Sequence, residues 1–404
     1  MMSDAFKAVQ VTEKVWWVGA IDWNIRDFHG YMTGRGTSWN AYIVMGDEPI
    51  LIDAVKKDGL DEMKARIGSV IDPESIQHIV SNHTEMDHSG TLPELVEWLK
   101  PKTLFASRNG AKALPMHFDV GMDITAVEDL GSVNLGGSEL TFIETRMVHW
   151  PDNMFTYYAN DGVLFSSDGF GMHLASAERF TDEINPTEIH HESAKYFANI
   201  LLPFTPQLAR VLEKVEGLNL PGQVIASDHG PIWRGGLDRI VGQYSKWCEQ
   251  EPTTKAVIVF DSMWDSTKAM AASIADGVYG AGAHPHVTSA RATHRSDIMT
   301  EVLDAGALLV GSCTLNNNIF PSIADLMTYM KGLRPRNLIG AAFGSYGWSG
   351  EAVKQLNAIL EAMKVDVVHE GIRVKWVPTQ EDLAQCRELG EMVGKMLVDT
   401  CDGA

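Results

Sequence analysis

Residues 81–90 have the sequence SNHTEMDHSG, in which four side chains able to bind a metal ion fall within six positions. These side chains are His83, Glu85, Asp87 and His88. The apolar pair Ile79-Val80 before the stretch predicts the end of a buried strand, and the run Leu92–Leu99 after Gly90 predicts a helix. A polar loop with two surface histidines would look the same, so a metal site requires partners elsewhere in the chain.

Such partners follow three other apolar runs, 141–148, 163–167 and 224–228. They are His149, Asp168 and His229. Because ligands gather beyond strand ends at the edge of a sheet, we expect all seven side chains to converge on one metal site.

The seven side chains comprise four imidazoles and three carboxylates. The spacing of His83 and His88 with Asp87 between them resembles the metallo-β-lactamase fold, whose zinc hydrolases usually have a second histidine where Glu85 stands. A hard, anionic mixture of oxygen and nitrogen ligands suits ferrous and ferric iron better than zinc. With Asp168 as a candidate bridge, the set indicates a dinuclear redox centre rather than a zinc site that activates water.

The segment from about residue 15 to 245 alternates short apolar runs with helix-like runs. The strands are predicted at 15–18, 41–44, 50–52, 79–80, 140–143, 163–165 and 224–226, and helices at 60–67 and 92–99. Consecutive strands near the start favour antiparallel pairing and a two-sheet α+β fold with helices outside.

A polar segment with a proline, residues 249–254, predicts a linker between a domain of residues 1–250 and a domain of residues 251–404. The strands 256–260, 307–311 and 338–343 then alternate with helical segments, which is typical of a doubly wound parallel sheet. The loop 261–267 after the first of these strands is rich in hydroxyls and precedes a helix predicted to begin near Lys268. Such a loop can hold a phosphate, although an ordinary helix cap has the same composition.

Several strings together resemble flavodiiron proteins, in particular those of the rubredoxin:oxygen oxidoreductase type, over essentially the whole chain. They are residues 19–23, 36–42, 83–90, 146–152 and 228–230, with the loops 312–318 and 344–351 in the second half. The resemblance implies a metallo-β-lactamase-like αββα sandwich followed by a flavodoxin-like doubly wound sheet. It also implies that one iron takes His83, Glu85 and His149, the other takes Asp87, His88 and His229, and Asp168 bridges them. Whether His88 binds iron stays open, because this histidine is turned away from the metal in some members of the family.

The resemblance further places His29, His173 and Tyr196 beside the metal pocket, as donors of protons or hydrogen bonds to bound oxygen. It assigns three loops to FMN. They contain Ser262, Met263, Trp264, Asp265, Ser266 and Thr267; Ser312, Cys313, Thr314, Leu315, Asn316 and Asn317; and Ser345, Tyr346, Gly347, Trp348, Ser349 and Gly350. Tyr346 or Trp348 is expected to cover a face of the flavin ring.

Two positions depart from the family pattern, which commonly has proline where Cys313 stands and glycine where Asn318 stands. Asparagine tolerates a positive φ better than most residues, so the turn at Asn318 is expected to survive. Cys313 places a thiol near the flavin and leaves the flavin potential open.

The implied function is reduction of O2 to water, and of NO to N2O as a second use, with electrons passing from rubredoxin to FMN and then to the diiron site. The implied assembly is a head-to-tail homodimer or a dimer of such dimers. Lys331, Arg334 and Arg336 are candidates for a donor-docking patch, against the alternative of a solvated helix end. A zinc hydrolase with an accessory flavodoxin domain is the main alternative function, and an electron carrier with a vestigial metal site is the weaker one.

The composition excludes other classes of function. The 404 residues carry 33 basic and 53 acidic side chains, a net charge of −20, which disfavours nucleic acid and anionic membranes as partners. The four cysteines, Cys248, Cys313, Cys386 and Cys401, are scattered, which argues against a disulfide framework and an attached rubredoxin module. Without a signal-like start or an apolar run of about 20 residues, we expect a cytoplasmic protein.

Overall fold

The structure, a computed structural model, describes residues 6–403. Its contacts divide the chain into two compact units. The first contains residues up to His29, Thr33–Tyr196 and Phe204–Ser245, and the second contains Gly30–Met32, Phe197–Pro203 and residues from Lys246 onward. The domain boundary expected between residues 250 and 251 stays a prediction. Among residues 6–403, no helix is both long and apolar enough to cross a bilayer.

The first unit contains fifteen of the described strands and six α-helices, and a seventh helix begins in it and ends in the second unit. The strands are β1 Val9–Gln10, β2 Val15–Trp17, β3 Ala20–Asp22, β4 Thr37–Trp39, β5 Tyr42–Val44, β6 Ile50–Ile52, β7 His78–Ser81, β8 Thr103–Ser107, β9 Ile124–Val127, β10 Ser132–Leu135, β11 Ser138–Glu144, β12 Met154–Tyr158, β13 Val163–Ser167, β14 Val224–Ser227 and β15 Trp233–Arg234. The helices are α1 Leu60–Gly68, α2 Met86–Ser89, α3 Leu92–Leu99, α4 Gly110–His117, α5 Pro186–Tyr196, α6 Thr205–Gly217 and α7 Leu237–Glu249.

Two large mixed sheets form the frame of this unit, in the orders β1-β2-β5-β6-β7-β8-β9 and β10-β11-β12-β13-β14-β15. One apolar cluster joins the facing sides of the two sheets, with Tyr42 and Val80 from the first and Phe142 and Phe165 from the second. A second cluster packs the outer side of the first sheet against α1, α3 and α4, through Met63, Leu95 and Leu114. The expected αββα sandwich is confirmed.

The second unit is built on a parallel sheet in the order β17-β16-β18-β19, with β20 and β21 both beside β19. Its strands are β16 Lys255–Asp261, β17 His284–Ser289, β18 Ala307–Ser312, β19 Ile339–Tyr346, β20 Asp366–Val367 and β21 Ile372–Lys375. Its helices are α8 Ser266–Gly280, α9 Arg295–Val302, α10 Pro321–Leu333, α11 Glu351–Ala362 and α12 Gln380–Asp402. The order reverses at β16, so a ligand crevice is expected beyond the ends of β16 and β18. The flavodoxin-like expectation is confirmed.

The strand predicted at 140–143 lies within β11, which ends at Glu144. The chain then turns before His149, with the Val148 amide donating to Thr145 O (3.0 Å) and the Met147 amide to Trp150 O (2.7 Å). The first helix of the second unit begins at Ser266, two residues from the start predicted near Lys268. Sequence reasoning missed several short strands, among them β8 and β12. The strand β12, MFTYY, is buried throughout, so it lacks the polar–apolar alternation that indicates a half-exposed strand.

Candidate functional site

The seven predicted ligands lie together in the first unit, in two adjoining groups. Position one contains His83, Glu85, His149 and Asp168, and position two contains Asp87, His88 and His229. Within each group, one ligand atom of every residue lies within 4.8 Å of the others.

The carboxylate of Asp168 faces both positions. Its Oδ2 lies 3.3 Å from the Nε2 atoms of His83 and His149. Its Oδ1 lies 3.3 Å from His88 Nε2 and 3.2 Å from His229 Nε2. One oxygen for each position is the arrangement of a bridging carboxylate.

The ends of three strands bring the ligands together. The strand β7 ends at Ser81, and the chain then places His83 and Glu85 in a loop and Asp87 and His88 in α2. Asp168 directly follows β13, and His229 lies two residues after β14, its parallel neighbour. Because β7 belongs to the sheet that faces β13 and β14, the ligands collect at one end of the sandwich.

The ligand atoms are arranged as they would be around metal ions, rather than as hydrogen-bond partners of one another. The carboxylate oxygens of Asp87, the ring nitrogens of His88 and Oδ2 of Asp168 are buried, and none has a well-aligned hydrogen-bond partner among the described residues. Yet His88 Nε2 lies 3.2 Å from Asp87 Oδ2, and His229 Nε2 lies 3.4 Å from the same oxygen. Ligands bound at roughly 2.1–2.2 Å and at right angles around one ion would be separated by roughly 3 Å. The two groups therefore fit two metal ions, and His88 faces position two.

The outer nitrogens of two ligands have different partners. His83 Nδ1 lies 2.9 Å from Oδ2 of Asp152, and His229 Nδ1 lies 3.0 Å from the backbone oxygen of Ser38. Such contacts set which ring nitrogen is left for a metal. Sequence reasoning assigned no role to Asp152 or Ser38, although both lie inside the strings that carried the resemblance, three residues after His149 and in the segment 36–42.

Burial and charge move the pKa values of the site in opposite directions. Burial opposes a charge on His83, but its hydrogen bonds to Asp152 and Glu85 raise its pKa to about 10. Burial likewise opposes ionisation of Asp87, but His88 and His229 lower the pKa of its carboxyl. Away from the ligand atoms, burial raises the pKa of Asp53 to about 6.

The three side chains predicted beside the metal pocket all lie there. His29 Nε2 lies 2.5 Å from Glu85 Oε1, and the Tyr196 hydroxyl donates to Asp168 Oδ1 at 3.0 Å. His173 Nδ1 lies 2.8 Å from the Thr37 hydroxyl, and its ring packs 4.6 Å from the ring of His229. Burial, together with the charge of His229, lowers the pKa of His173 well below its ordinary value, so this imidazole is neutral. Burial raises the pKa of Tyr196, which keeps its proton.

A cavity of about 470 Å³ opens in the second unit beyond the ends of β16, β18 and β19. It is lined by Met263, Trp264, Ser266, Cys313, Thr314, Leu315, Asn316, Asn317, Ser345, Tyr346, Gly347, Trp348, Ser349, Trp376 and Val377. Thirteen of the eighteen predicted FMN residues are therefore brought together. The other five, Ser262, Asp265, Thr267, Ser312 and Gly350, are not among the described lining residues. The Thr267 hydroxyl, for example, pairs with Ser345 Oγ at 3.1 Å in the interior.

Trp376 and Val377 belong to the cavity wall but were missed by sequence reasoning. They follow β21, a short strand that pairs with β19. In the sequence, only their position directly before Pro378 indicated a loop there. Trp264 and Trp348 are 87% and 84% exposed, so both indoles are available to a ring in the cavity, as expected of a loop aromatic.

In the loop after β18, Asn318 does not have the positive φ angle that was considered for it. The positive φ angles belong to Asn316 (50°) and Asn317 (62°), and Asn318 is not among the described residues with such an angle. Cys313 is buried against the cavity, and burial raises the pKa of its thiol. A protonated thiol is a poor nucleophile, so Cys313 is expected to be unreactive.

Comparison with known proteins supports both halves of this description. Residues 37–230 match the family described as ODP family beta lactamase, and residues 258–390 match the flavodoxin family. A nitric oxide reductase of Moorella thermoacetica is 40% identical over 395 residues, which are 97% of this chain and 99% of that protein.

Two solved structures are also similar over nearly the whole chain. Rubredoxin oxygen:oxidoreductase from Desulfovibrio gigas matches with a TM-score of 0.95 and 40% identity, over 98% of this chain and 100% of that one. The flavodiiron protein from Giardia intestinalis matches with a TM-score of 0.94 and 33% identity, over 98% and 99% respectively.

Replacing Asp168 by alanine is expected to remove both metal ions, because one carboxylate oxygen serves each position. Metal analysis of purified protein would show a fall from about two ions per chain to nearly none. Asp161→Ala, which removes a carboxylate bound to Thr12 in another part of the unit, is the control and keeps both ions. Retention of two tightly bound ions in the Asp168→Ala protein would contradict the bridging arrangement.

Proposed function

This chain belongs to the flavodiiron family, and on that premise we propose that it reduces O2 to water, and NO to N2O as a second reaction, with electrons entering through FMN. The observation that carries the proposal is the pair of adjoining ligand groups containing Glu85 on a chain that also has a flavodoxin cavity. The relatives' names point to the same two gases, since one is called a nitric oxide reductase and another a rubredoxin oxygen:oxidoreductase.

Two iron ions and one FMN fit the residues present. In position one, His83, Glu85 and His149 would hold an ion, in position two Asp87, His88 and His229 would hold another, and Asp168 would join them. When bound, two ferrous ions and a reduced FMN supply four electrons, which is the number that turns O2 into water; coupling of two NO molecules to N2O needs two.

The surrounding side chains determine where protons and substrate are held. Tyr196 keeps its proton, and its hydroxyl donates a hydrogen bond to Asp168, which fixes the orientation of this carboxylate. His29 is about half exposed and contacts Glu85, so it connects the outer oxygen of this ligand with solvent. Neutral His173 packs beside His229 and adds no positive charge to a site that would hold cations.

The FMN phosphate is proposed to bind at the start of α8, where backbone amides point outward and the helix dipole favours an anion. Ser266, the first residue of α8, also lines the cavity, which makes it the natural neighbour of the phosphate. The flavin ring would lie between the loops after β18 and β19, beneath the exposed indoles of Trp264 and Trp348.

A head-to-tail dimer is proposed as the working form, with the FMN of one chain against the metal centre of its partner. The rim of the cavity supports this assembly, because Met263, Trp264, Trp348, Trp376 and Val377 expose between 44% and 87% of their surface. Clusters of exposed aromatic and aliphatic side chains are typical of protein–protein interfaces.

Rubredoxin or a similar carrier is proposed as the electron donor. Of the three basic residues considered for docking, Arg336 is engaged by its own unit, since its Nη2 donates to Cys248 O at 2.7 Å. Lys331 and Arg334 are exposed at the end of α10 and remain the candidates for contact with an acidic partner.

Ser266→Glu is expected to weaken FMN binding by at least about tenfold, because its carboxylate would take the place of the phosphate and repel it. Riboflavin, which has no phosphate, serves as the internal control and should bind both proteins equally well. Flavin fluorescence titration of the apoprotein measures both affinities. Equal weakening of FMN and riboflavin would mean that Ser266 contacts the ring and that the phosphate lies elsewhere.

Steady-state consumption of O2 and of NO by the anaerobically reduced protein, with rubredoxin as donor, tests the activity. We expect both gases to be consumed, O2 at least as fast as NO, and no hydrogen peroxide to accumulate. Much faster consumption of NO would reverse the proposed order. Metal analysis gives the decisive control against a zinc hydrolase, which would contain two zinc ions and no flavin.

Val377→Glu is expected to convert the dimer to a monomer and slow gas consumption, because it buries a charge in the proposed interface. Because Val377 also lines the flavin cavity, flavin content is measured as well, and turnover is compared per bound FMN. Tyr279→Glu, at an aromatic that is 73% exposed on α8, is the matched control and should remain dimeric. Sedimentation velocity and turnover measure the two effects. A monomer with full turnover would contradict the head-to-tail assembly.

A further inference from the structure

We propose that Asp152 is a positioning residue for metal position one alone: its carboxylate fixes His83 and ties down the loop that carries His149. The inference rests on the proposed two-ion centre and deepens it, because it makes the two positions unequal. The outer nitrogen of His83 in position one faces a carboxylate outside the ligand set, whereas the outer nitrogen of His229 in position two faces a backbone oxygen.

One oxygen of Asp152 makes both contacts that matter. Its Oδ2 accepts hydrogen bonds from His83 Nδ1 at 2.9 Å and from the Thr84 amide at 2.7 Å. Because Nδ1 donates to this carboxylate, Nε2 of His83 is the nitrogen that faces the metal position. That nitrogen lies 3.3 Å from Glu85 Oε2 and from Asp168 Oδ2, on the metal side of the ring. Asp152 is 4% exposed, so water competes little for these bonds.

Asp152 also belongs to the loop that supplies His149. The Ser107 hydroxyl donates to Asp152 O at 2.5 Å, and Asn109 Nδ2 donates to Pro151 O at 2.8 Å, which anchors the backbone of the loop. Its side chain then joins this loop to the segment that contains His83. The indole of Trp150 packs beside both ligands, with its ring 5.2 Å from that of His83 and 6.1 Å from that of His149. Two of the four ligands in position one therefore depend on the Asp152 carboxylate.

Position two has a different support. His229 Nδ1 lies 3.0 Å from the carbonyl oxygen of Ser38, a backbone group of β4. The loop that carries His229 is fixed by the neighbouring residue Asn40, whose amide nitrogen Nδ2 donates to Ser227 O and Gly230 O, both at 2.8 Å. These contacts involve neither Asp152 nor the loop of His149, so they are expected to remain when Asp152 is replaced.

The single contacting oxygen allows geometry to be separated from charge. In Asp152→Asn, the amide oxygen can take the place of Oδ2 and accept from both His83 and Thr84, so the orientation of the imidazole is kept while the negative charge is lost. In Asp152→Ala, both hydrogen bonds disappear. If positioning is the role, the asparagine variant should resemble the unmodified protein and the alanine variant should not.

The experiment is an anaerobic Co²⁺ titration of the metal-free full-length protein, followed by calorimetry and by the visible absorption of the bound ion. The unmodified protein should bind two Co²⁺ ions per chain. Asp152→Ala should bind one ion with unchanged affinity and the other at least about tenfold more weakly, which is the usual cost of removing such a partner. Asp152→Asn should bind both ions within a few-fold of the unmodified protein.

Two further variants identify the affected position and exclude general loosening. Asp87→Ala impairs position two, so the double variant Asp87→Ala/Asp152→Ala should retain no tight ion. Ser107→Ala removes the hydrogen bond to the backbone of Asp152 but leaves its carboxylate in place, and it should keep both ions even if the metal-free protein melts at a lower temperature.

Equal weakening of both ions in Asp152→Ala, unchanged binding of both, or the same selective loss in Asp152→Asn or Ser107→Ala would overturn the inference. Its outcome is separate from that of the proposed function, because Co²⁺ binding requires no turnover. A protein that binds two Co²⁺ ions but reduces neither O2 nor NO would overturn the function and leave the role of Asp152 intact.

Discussion

The carboxylate of Asp168 is the contact on which the rest of the metal centre depends. It presents one oxygen to each ligand group, so the two groups can form a single centre only if this side chain is held between them. The hydrogen bond from Tyr196 and complete burial fix its orientation. Burying three carboxylates and four imidazoles without cations would be costly, and two metal ions offset that cost by taking the unpaired oxygens and nitrogens as ligands.

The sandwich makes this convergence possible. The strand β7 lies in one sheet, and β13 and β14 lie in the other. The apolar side chains between the sheets hold the carboxyl ends of these strands close together. The residues after each strand need no regular hydrogen bonding, so they are available as ligands. The supports of the ligands then differ: a carboxylate holds His83, and a backbone oxygen of β4 holds His229. A centre whose two positions have different supports can bind two ions of the same element with unequal strength.

The second unit also builds its site from loops that follow strand ends, but for a flat ring rather than for metal ions. Three parallel strands end at one edge, and short loops with small or asparagine residues leave room for a flat ring. Gly347 shows how little space is available, because a Cβ atom at this position would lie about 2.9 Å from the ring of Trp376. The indoles around the rim remain exposed, which gives this unit a surface that is suited both to a flavin and to a protein partner.

The sequence by itself determined the fold class of both halves and all seven residues that the structure gathers into the metal centre. This was possible because chemistry at strand ends needs particular side chains directly after apolar runs, and such local patterns are visible in one dimension. It also determined most of the flavin cavity, since those loops follow predicted strands. What only the tertiary structure decided were the contacts between segments distant in the chain: Asp152 with His83, Ser38 with His229, and Trp376 with the loops of β18 and β19. Their partners lie 69, 191 and about 30–60 residues away, where no local period relates them, and the turn before His149 is set by hydrogen bonds that apolar patterning does not encode.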